Sequence, residues 1–171
     1  GRLDARFSGL NLDPLAEYAE YDPQFAAIGS AYTAALNDYM RGTLHFGGEH
    51  RYELLSLDVN SQWNQLHTPP GQSTPAYTAT NVLPDLAAAM TLNPNLKVLV
   101  NAGYFDLATP YYAAVYQMQQ LPMATKLQQN IEYQYYDTGH MIYVAPQALA
   151  KLHDNVARFI RDSSGAAPGG K

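Results

Sequence analysis

The sequence between residues 96 and 162 constrains the fold most, because one order of elements occurs there twice. The run "LKVLVNA" is short and continuously apolar, as in a strand covered on both faces, and "TPYYAAVYQMQQL" after it predicts a helix. The segment "NIEYQYY" alternates and predicts a second strand, and "PQALAKLHDNVARFIRD" has a helical apolar period. This β-α-β-α order predicts two parallel strands joined by a helix, the building block of an open α/β sheet.

Capping signals place the starts of two of the predicted helices. Residues 22–44 carry apolar side chains at spacings of three and four, with Asp22 as the expected N-cap and Pro23 at the first helical position. Thr109 and Pro110 repeat this arrangement after the first predicted strand. Both helices are therefore expected to begin at a proline that follows a capping side chain.

The chain divides into three predicted parts. Residues 1–80 combine the first helix with Gly-, Pro- and Ser-rich sequence, which predicts a helical and irregular cap or insertion segment. Residues 81–162 contain a further helical period and then the β-α-β-α unit, and residues 163–171 predict a flexible tail. With 47% hydrophobic residues among 171, the chain has enough apolar content for a core of ordinary size.

Composition excludes several classes of protein. A net charge of −5 and the lack of a dense Lys/Arg run argue against a nucleic-acid partner, whose phosphates require clustered positive charge. No run of 18 apolar residues occurs, so no membrane span is predicted, and no signal peptide is visible. The opening "GRLDARF" indicates an internal piece of a longer polypeptide or a processed chain.

No cofactor or metal is predicted. The chain has no cysteine, which excludes disulfides and Cys-ligated zinc, and it contains neither a P-loop nor a G-x-G-x-x-G motif. His45, Glu49 and His50 lie close together, but their spacing fits no common zinc motif, so a solvated loop is the favoured interpretation.

Two residues with catalytic chemistry follow the two predicted strands. Asp106 leaves the carboxyl end of the first strand and His140 that of the second, so a parallel pairing would make them neighbours. A lone Asp before a helix is usually a cap, and a lone Gly-His is usually structural. Together, in the chain order Asp then His that closes an α/β-hydrolase triad, they favour a carboxylate that orients a general base.

The nucleophile that such a triad needs is not recognisable in the chain. Ser8, Ser30 and Ser73 each lack the two flanking glycines of a G-x-S-x-G turn. Ser30 lies in the first predicted helix and Ser73 in a Pro-rich loop, and neither follows a predicted buried strand. Asp106 and His140 are therefore the only two catalytic residues predicted.

The motifs around these residues resemble a known family. "NAGYFDLATPYYA" is similar to the strand-and-aspartate motif of the serine carboxypeptidases, G-x-x-D-x-x-x-P, and "DTGHMIY" is similar to the block around their catalytic histidine. "GRLDARF" and "AIGSAYTAALNDYM" resemble the segment after the helical insertion of the bacterial, secreted-type members. The resemblance runs from about Gly1 to Ile160.

The resemblance implies the C-terminal part of an α/β-hydrolase fold, with the last two parallel strands and their helices. It implies hydrolysis of peptides from a free C-terminus, often in acid, with Asp106 orienting His140 and the serine in an N-terminal part. That part is expected as a separate partner chain or as the missing half, so this chain alone is expected to be inactive. A secreted or periplasmic location is implied. An acyltransferase with the same triad and a non-catalytic interaction module are the alternatives.

Overall fold

The computed structural model describes residues 1–75 and 80–165 of the chain. These residues form two compact units: Phe7–Gln65 make up one, and Gly1–Arg6 together with the residues from Leu66 onward make up the other. The first six residues thus belong with the C-terminal half of the chain. The division of the chain into segments 1–80, 81–162 and 163–171 remains a prediction from the sequence.

The unit from Phe7 to Gln65 is helical and irregular. Helix α1 spans Pro23–Asp38, and Asp22 caps it as predicted, with one carboxylate oxygen accepting the backbone N–H of Gln24 at 2.9 Å and of Phe25 at 3.1 Å. A π-helical turn, Tyr39–Thr43, continues α1. A short helix, α2, follows at Leu57–Gln62.

The other unit contains a two-stranded parallel sheet. Strand β1 spans Val98–Gly103 and strand β2 spans Ile131–Tyr136, and the two strands pair in register along their whole length. Helix α4, Tyr111–Gln119, and a 3₁₀ segment, Thr125–Asn130, make the crossover between them. The predicted parallel pair joined by a helix is therefore confirmed, and the chain is of the mixed α/β class.

Helices α3 and α5 complete this unit. Helix α3 spans Leu83–Leu92 and contributes to a core cluster with side chains from the crossover and from β2: Ala87, Met90, Leu121, Leu127 and Ile131. Helix α5 spans Pro146–Ser164, after a 3₁₀ turn at Ile142–Val144.

Polar contacts hold α5 against β2. Arg158 of α5 forms an ion pair with Glu132, and the side-chain amide of Asn155 donates to the Tyr136 hydroxyl at 3.1 Å. The Arg158 contact lies near the amino end of β2 and the Asn155 contact at its carboxyl end, where the chain leads to His140.

Two helix ends differ from the sequence predictions. Helix α4 begins at Tyr111 with Pro110 as its N-cap, and the Thr109 side chain does not cap it. Helix α5 extends into the predicted tail through Ser164 and ends at Gly165, which adopts φ 64°, a left-handed C-cap. The rest of the predicted tail, residues 166–171, lies outside the described residues.

Among the described residues, no helix is both long and apolar enough to cross a bilayer.

Candidate active site

The two loops that follow β1 and β2 lie side by side. Beyond the last paired residues, the Tyr104 N–H donates to the Tyr136 carbonyl at 2.9 Å, and the Phe105 N–H donates to the Thr138 carbonyl at 3.0 Å. Parallel strands end at the same edge of a sheet, and these bonds continue the pairing past that edge. The residues after each strand are therefore held within side-chain reach of each other.

Gly103, the last residue of β1, makes this close approach possible. A β-carbon at this position would lie 2.2 Å from the Gly139 carbonyl oxygen and 2.4 Å from the Thr138 carbonyl oxygen. These neighbours are backbone atoms, so a side chain would force the two loops apart. Any residue larger than glycine is incompatible with the observed spacing.

Gly103→Ala is therefore expected to destabilise the chain by about 1–3 kcal/mol, the cost of overpacking a tight contact. Denaturant unfolding followed by circular dichroism measures the change. Gly29→Ala in α1 is the matched control, because its β-carbon would make only ordinary contacts, 3.6 Å or more from the Phe25 ring. That control is expected to stabilise the chain by up to about 1 kcal/mol. Equal stability of Gly103→Ala and the parent would contradict the close approach.

Asp106 and His140 are in direct contact. The Nδ1 atom of His140 lies 2.9 Å from the Oδ2 atom of Asp106, so the predicted proximity is confirmed. Because an ionised carboxylate can only accept, Nδ1 carries the proton, and Nε2 of the neutral ring is left with its lone pair. The carboxylate thereby selects the tautomer that can accept a proton at Nε2.

The Asp106 carboxylate is buried, with 5% of its side chain exposed, and both of its oxygens are bonded. Oδ1 accepts the backbone N–H groups of Ala108 at 2.8 Å and Thr109 at 2.9 Å. Oδ2 accepts the Thr109 hydroxyl at 2.7 Å in addition to His140 Nδ1. Asp106 therefore sits in an Asx-type turn that fixes the direction of its second oxygen toward the imidazole.

These bonds determine the charge of Asp106. Burial alone would raise the pKa of its carboxyl, but the bonds from the Thr109 backbone and hydroxyl, from His140 and from Ala108 outweigh burial and lower the pKa below its usual value. The carboxylate therefore stays ionised in mild acid. An ionised partner is what a histidine base needs when it takes up a proton.

The imidazole of His140 is accessible on its other side. Its side chain is 45% exposed, and within the part of the chain that the structure describes Nε2 has no hydrogen-bond partner. The Thr109 hydroxyl lies 3.3 Å from Nδ1, on the carboxylate side of the ring. The free nitrogen therefore faces outward, where a reacting hydroxyl from elsewhere can approach it.

Among the described residues, two other histidines contact carboxylates, and neither contact has this environment. His67 Nε2 lies 2.8 Å from Asp85, and His153 Nδ1 lies 3.1 Å from Asp154. Their partner carboxylates are 39% and 81% exposed, respectively, so water competes for them. Only the His140 contact combines a buried, fully bonded carboxylate with an open ring nitrogen.

The serines considered from sequence do not complete a triad within the described residues. Ser30 lies inside α1, Ser8 and Ser73 are exposed, and no hydrogen bond joins a serine to His140 across residues 1–75 and 80–165. In the same ranges, no group of three or more His, Asp or Glu side chains is arranged to hold a metal ion, which includes the region of His45 and His50.

Comparisons with known proteins give no relative: no family model matches the chain, and no curated protein and no solved structure matches it.

Two contributors to the site were missed in the sequence. Thr109 was expected to cap α4, but its hydroxyl donates to Asp106; both roles use a Thr before a Pro, so the local sequence does not distinguish them. Asp4 contacts Gly139, 135 residues away. A contact at that separation leaves no periodic signal in the sequence.

Proposed function

We propose that this chain supplies the general base and its orienting carboxylate to a serine-type carboxypeptidase. The observation that carries the proposal is the contact between His140 Nδ1 and the buried Asp106 Oδ2 at 2.9 Å, at the ends of two parallel strands, with Nε2 open. The sequence resemblance to the serine carboxypeptidases supplies the reaction class. The substrate is then a peptide with a free C-terminus.

In this mechanism Nε2 of His140 takes the proton of a serine hydroxyl while the serine oxygen bonds to the scissile carbonyl carbon. Asp106 stabilises the imidazolium that forms. The C–N bond then breaks, and His140 returns its proton to the leaving amine, which leaves an acyl-enzyme. For deacylation His140 takes a proton from water, the hydroxide adds to the acyl carbon, and the proton goes back to the serine oxygen as the ester bond breaks.

The nucleophilic serine comes, in this proposal, from another stretch of polypeptide that completes an α/β-hydrolase sheet. Two features of the chain support an added segment. A two-stranded sheet is marginally stable in isolation. Many large apolar side chains are exposed as well, among them Leu10, Leu12, Leu15, Leu92 and Trp63. Association with the serine-bearing part would add strands and cover apolar surface.

The test is to co-express the chain with the polypeptide encoded upstream of Gly1, purify the complex and treat it with a fluorescent fluorophosphonate, which labels activated serines. We expect the label on the upstream polypeptide, or on the upstream part of a single chain. Labelling should require this chain, because the upstream part alone lacks the base. Equal labelling of the upstream polypeptide in the absence of this chain would overturn the proposal. The lack of any labelling in the complex would overturn it as well.

Product analysis then separates hydrolysis from transfer. Release of single amino acids from the C-terminus of a peptide supports the carboxypeptidase. Acyl transfer to an acceptor alcohol with no peptide hydrolysis would replace it with an acyltransferase that uses the same two residues. A complex that binds peptides and neither reacts with the probe nor turns over would mark the chain as an interaction module.

A further inference from the structure

The first residues of the chain lie against both loops of the candidate site. We call residues 2–6 the N-terminal strap. The strap bonds to the Asp106 loop at two points: the Leu107 N–H donates to the Arg2 carbonyl at 3.0 Å, and the Ala5 N–H donates to the Phe105 carbonyl at 2.9 Å. These bonds bracket Asp106 on its two sides in the sequence.

The strap also binds two consecutive N–H groups of the His140 loop. The His140 N–H donates to the Leu3 carbonyl at 2.7 Å, and the Gly139 N–H donates to Oδ2 of Asp4 at 2.9 Å. Two successive fixed N–H groups define the direction of the backbone from which the imidazole projects. The strap therefore bridges the loop of the carboxylate and the loop of the base.

Asp4 is the strap residue whose side chain binds the Gly139 N–H, next to His140, and its carboxylate is completely buried. Its remaining bonds are to Arg6: Oδ1 accepts the backbone N–H at 3.0 Å and Nε at 2.9 Å, and Oδ2 accepts Nη2 at 2.6 Å. Burial raises the pKa of the Asp4 carboxyl, but the bonds from Arg6 and Gly139 outweigh it and the pKa is lowered. Asp4 is an ionised acceptor surrounded only by donors.

The His140 loop also packs closely against the strap. A β-carbon on Gly139 would lie 2.3 Å from the Leu3 carbonyl oxygen and 2.4 Å from Cβ of Asp4. The Arg6 guanidinium, in turn, donates to the Asp137 carbonyl at 2.6 Å and lies over the Phe105 ring, 4.9 Å from its centroid. The loop of the base is thus held from residue 137 to residue 140.

We propose that Asp4 is a positioning residue for the base: its buried carboxylate holds the Gly139–His140 backbone so that the imidazole stays directed at Asp106. The effect on catalysis rests on the proposed function, but the effect on the Asp106–His140 contact does not. A misplacement of about 1 Å in a catalytic group can cost about 100-fold in rate. The strap supplies this precision from a distant part of the chain.

Asp4→Asn is the sharpest variant because it preserves shape and removes one acceptor. All four donors around the carboxylate would remain, and the new amide would direct two N–H groups at some of them. Either the Gly139 bond or the bonds to the Arg6 backbone and Nε would be lost. In the first case the strap side chain no longer binds the Gly139 N–H. In the second it still does, but through a side chain that has lost two of its three bonds to Arg6.

The readout is the NMR signal of the His140 Nδ1–H proton in the full chain, a low-field resonance that requires the bond to Asp106. We expect it in the parent chain and expect its loss or broadening in Asp4→Asn at temperatures where circular dichroism shows a folded chain. Met90→Ala, a truncation in the buried core, is the matched control: it lowers stability but should retain the resonance. An unchanged resonance in Asp4→Asn would overturn the proposal.

If Asp4→Asn does not fold, amide hydrogen exchange of the parent chain tests whether the strap holds the His140 loop. The Gly139 and His140 amides are then expected to exchange more slowly than those of an unstructured peptide with the same sequence. Exchange at the free-peptide rate, with the β1 amides still protected, would show that the strap does not hold the loop.

In the assembled enzyme, Asp4→Asn is expected to lower kcat by about 10–100-fold with little change in KM. If the resonance is lost in Asp4→Asn and the parent complex has no hydrolase activity, the proposed function is rejected and the positioning role is supported. An active parent complex, with kcat and the resonance both unchanged in Asp4→Asn, would reject the positioning role alone.

Discussion

His140→Ala is expected to lower kcat/KM of the assembled enzyme by about 10³–10⁶-fold, because no other described group can take a proton at the position of Nε2. The imidazole is 45% exposed, so the change should affect stability little. Release of a C-terminal amino acid from a synthetic peptide measures the activity, and thermal unfolding measures the stability.

His153→Ala is the matched control, because His153 is also a histidine beside an aspartate, but both of these side chains are exposed. We expect full activity from it. Activity of His140→Ala within tenfold of the parent would remove the imidazole from the mechanism. Activity lost together with the fold would instead indicate a structural role for His140.

Asp106→Asn is expected to lower kcat by about 10⁴-fold, the loss measured when the orienting carboxylate of a serine-protease triad is replaced by its amide. The amide oxygen can retain the two backbone N–H groups of Ala108 and Thr109. The amide nitrogen must then face His140 Nδ1, which can only accept from it. The ring proton moves to Nε2, and the base can no longer take a proton there.

Imidazole ¹⁵N chemical shifts of His140 provide the measurement, because they report which ring nitrogen is protonated in the neutral ring. Asp154→Asn, at the exposed pair, is the control and should leave both the shifts and kcat unchanged. Retention of the Nδ1–H tautomer together with normal turnover in Asp106→Asn would disprove the orienting role of the carboxylate.

The contact between Asp106 and His140 could be predicted from the sequence because it depends on local patterns. Each residue follows a segment whose apolar pattern predicts a strand, and a strand–helix–strand order predicts a parallel pair. Once β1 and β2 pair in register, the two loops must meet at one edge of the sheet. The helix start at Pro23 was predictable for the same reason, since its cap lies one residue away.

The support around that contact could not be predicted, because it depends on tertiary contacts. The strap reaches residues more than a hundred positions away, and nothing in "GRLDARF" by itself indicates a buried aspartate. Thr109 could have served either the helix or the carboxylate, and the three-dimensional position of Asp106 decides between them. Gly103 carries no local turn signal; only the approach of the Gly139 carbonyl explains it.

The long separation between the strap and the His140 loop has a consequence for biogenesis. A contact that closes 135 residues joins distant parts of the chain, and such long-range contacts are expected to form after the local helices. On the ribosome, residues 2–6 emerge long before their binding partners exist. A protein organised in this way would hold the His140 loop in place only after residue 140 had been made, so the strap stays without its binding partners while the residues between them are synthesised.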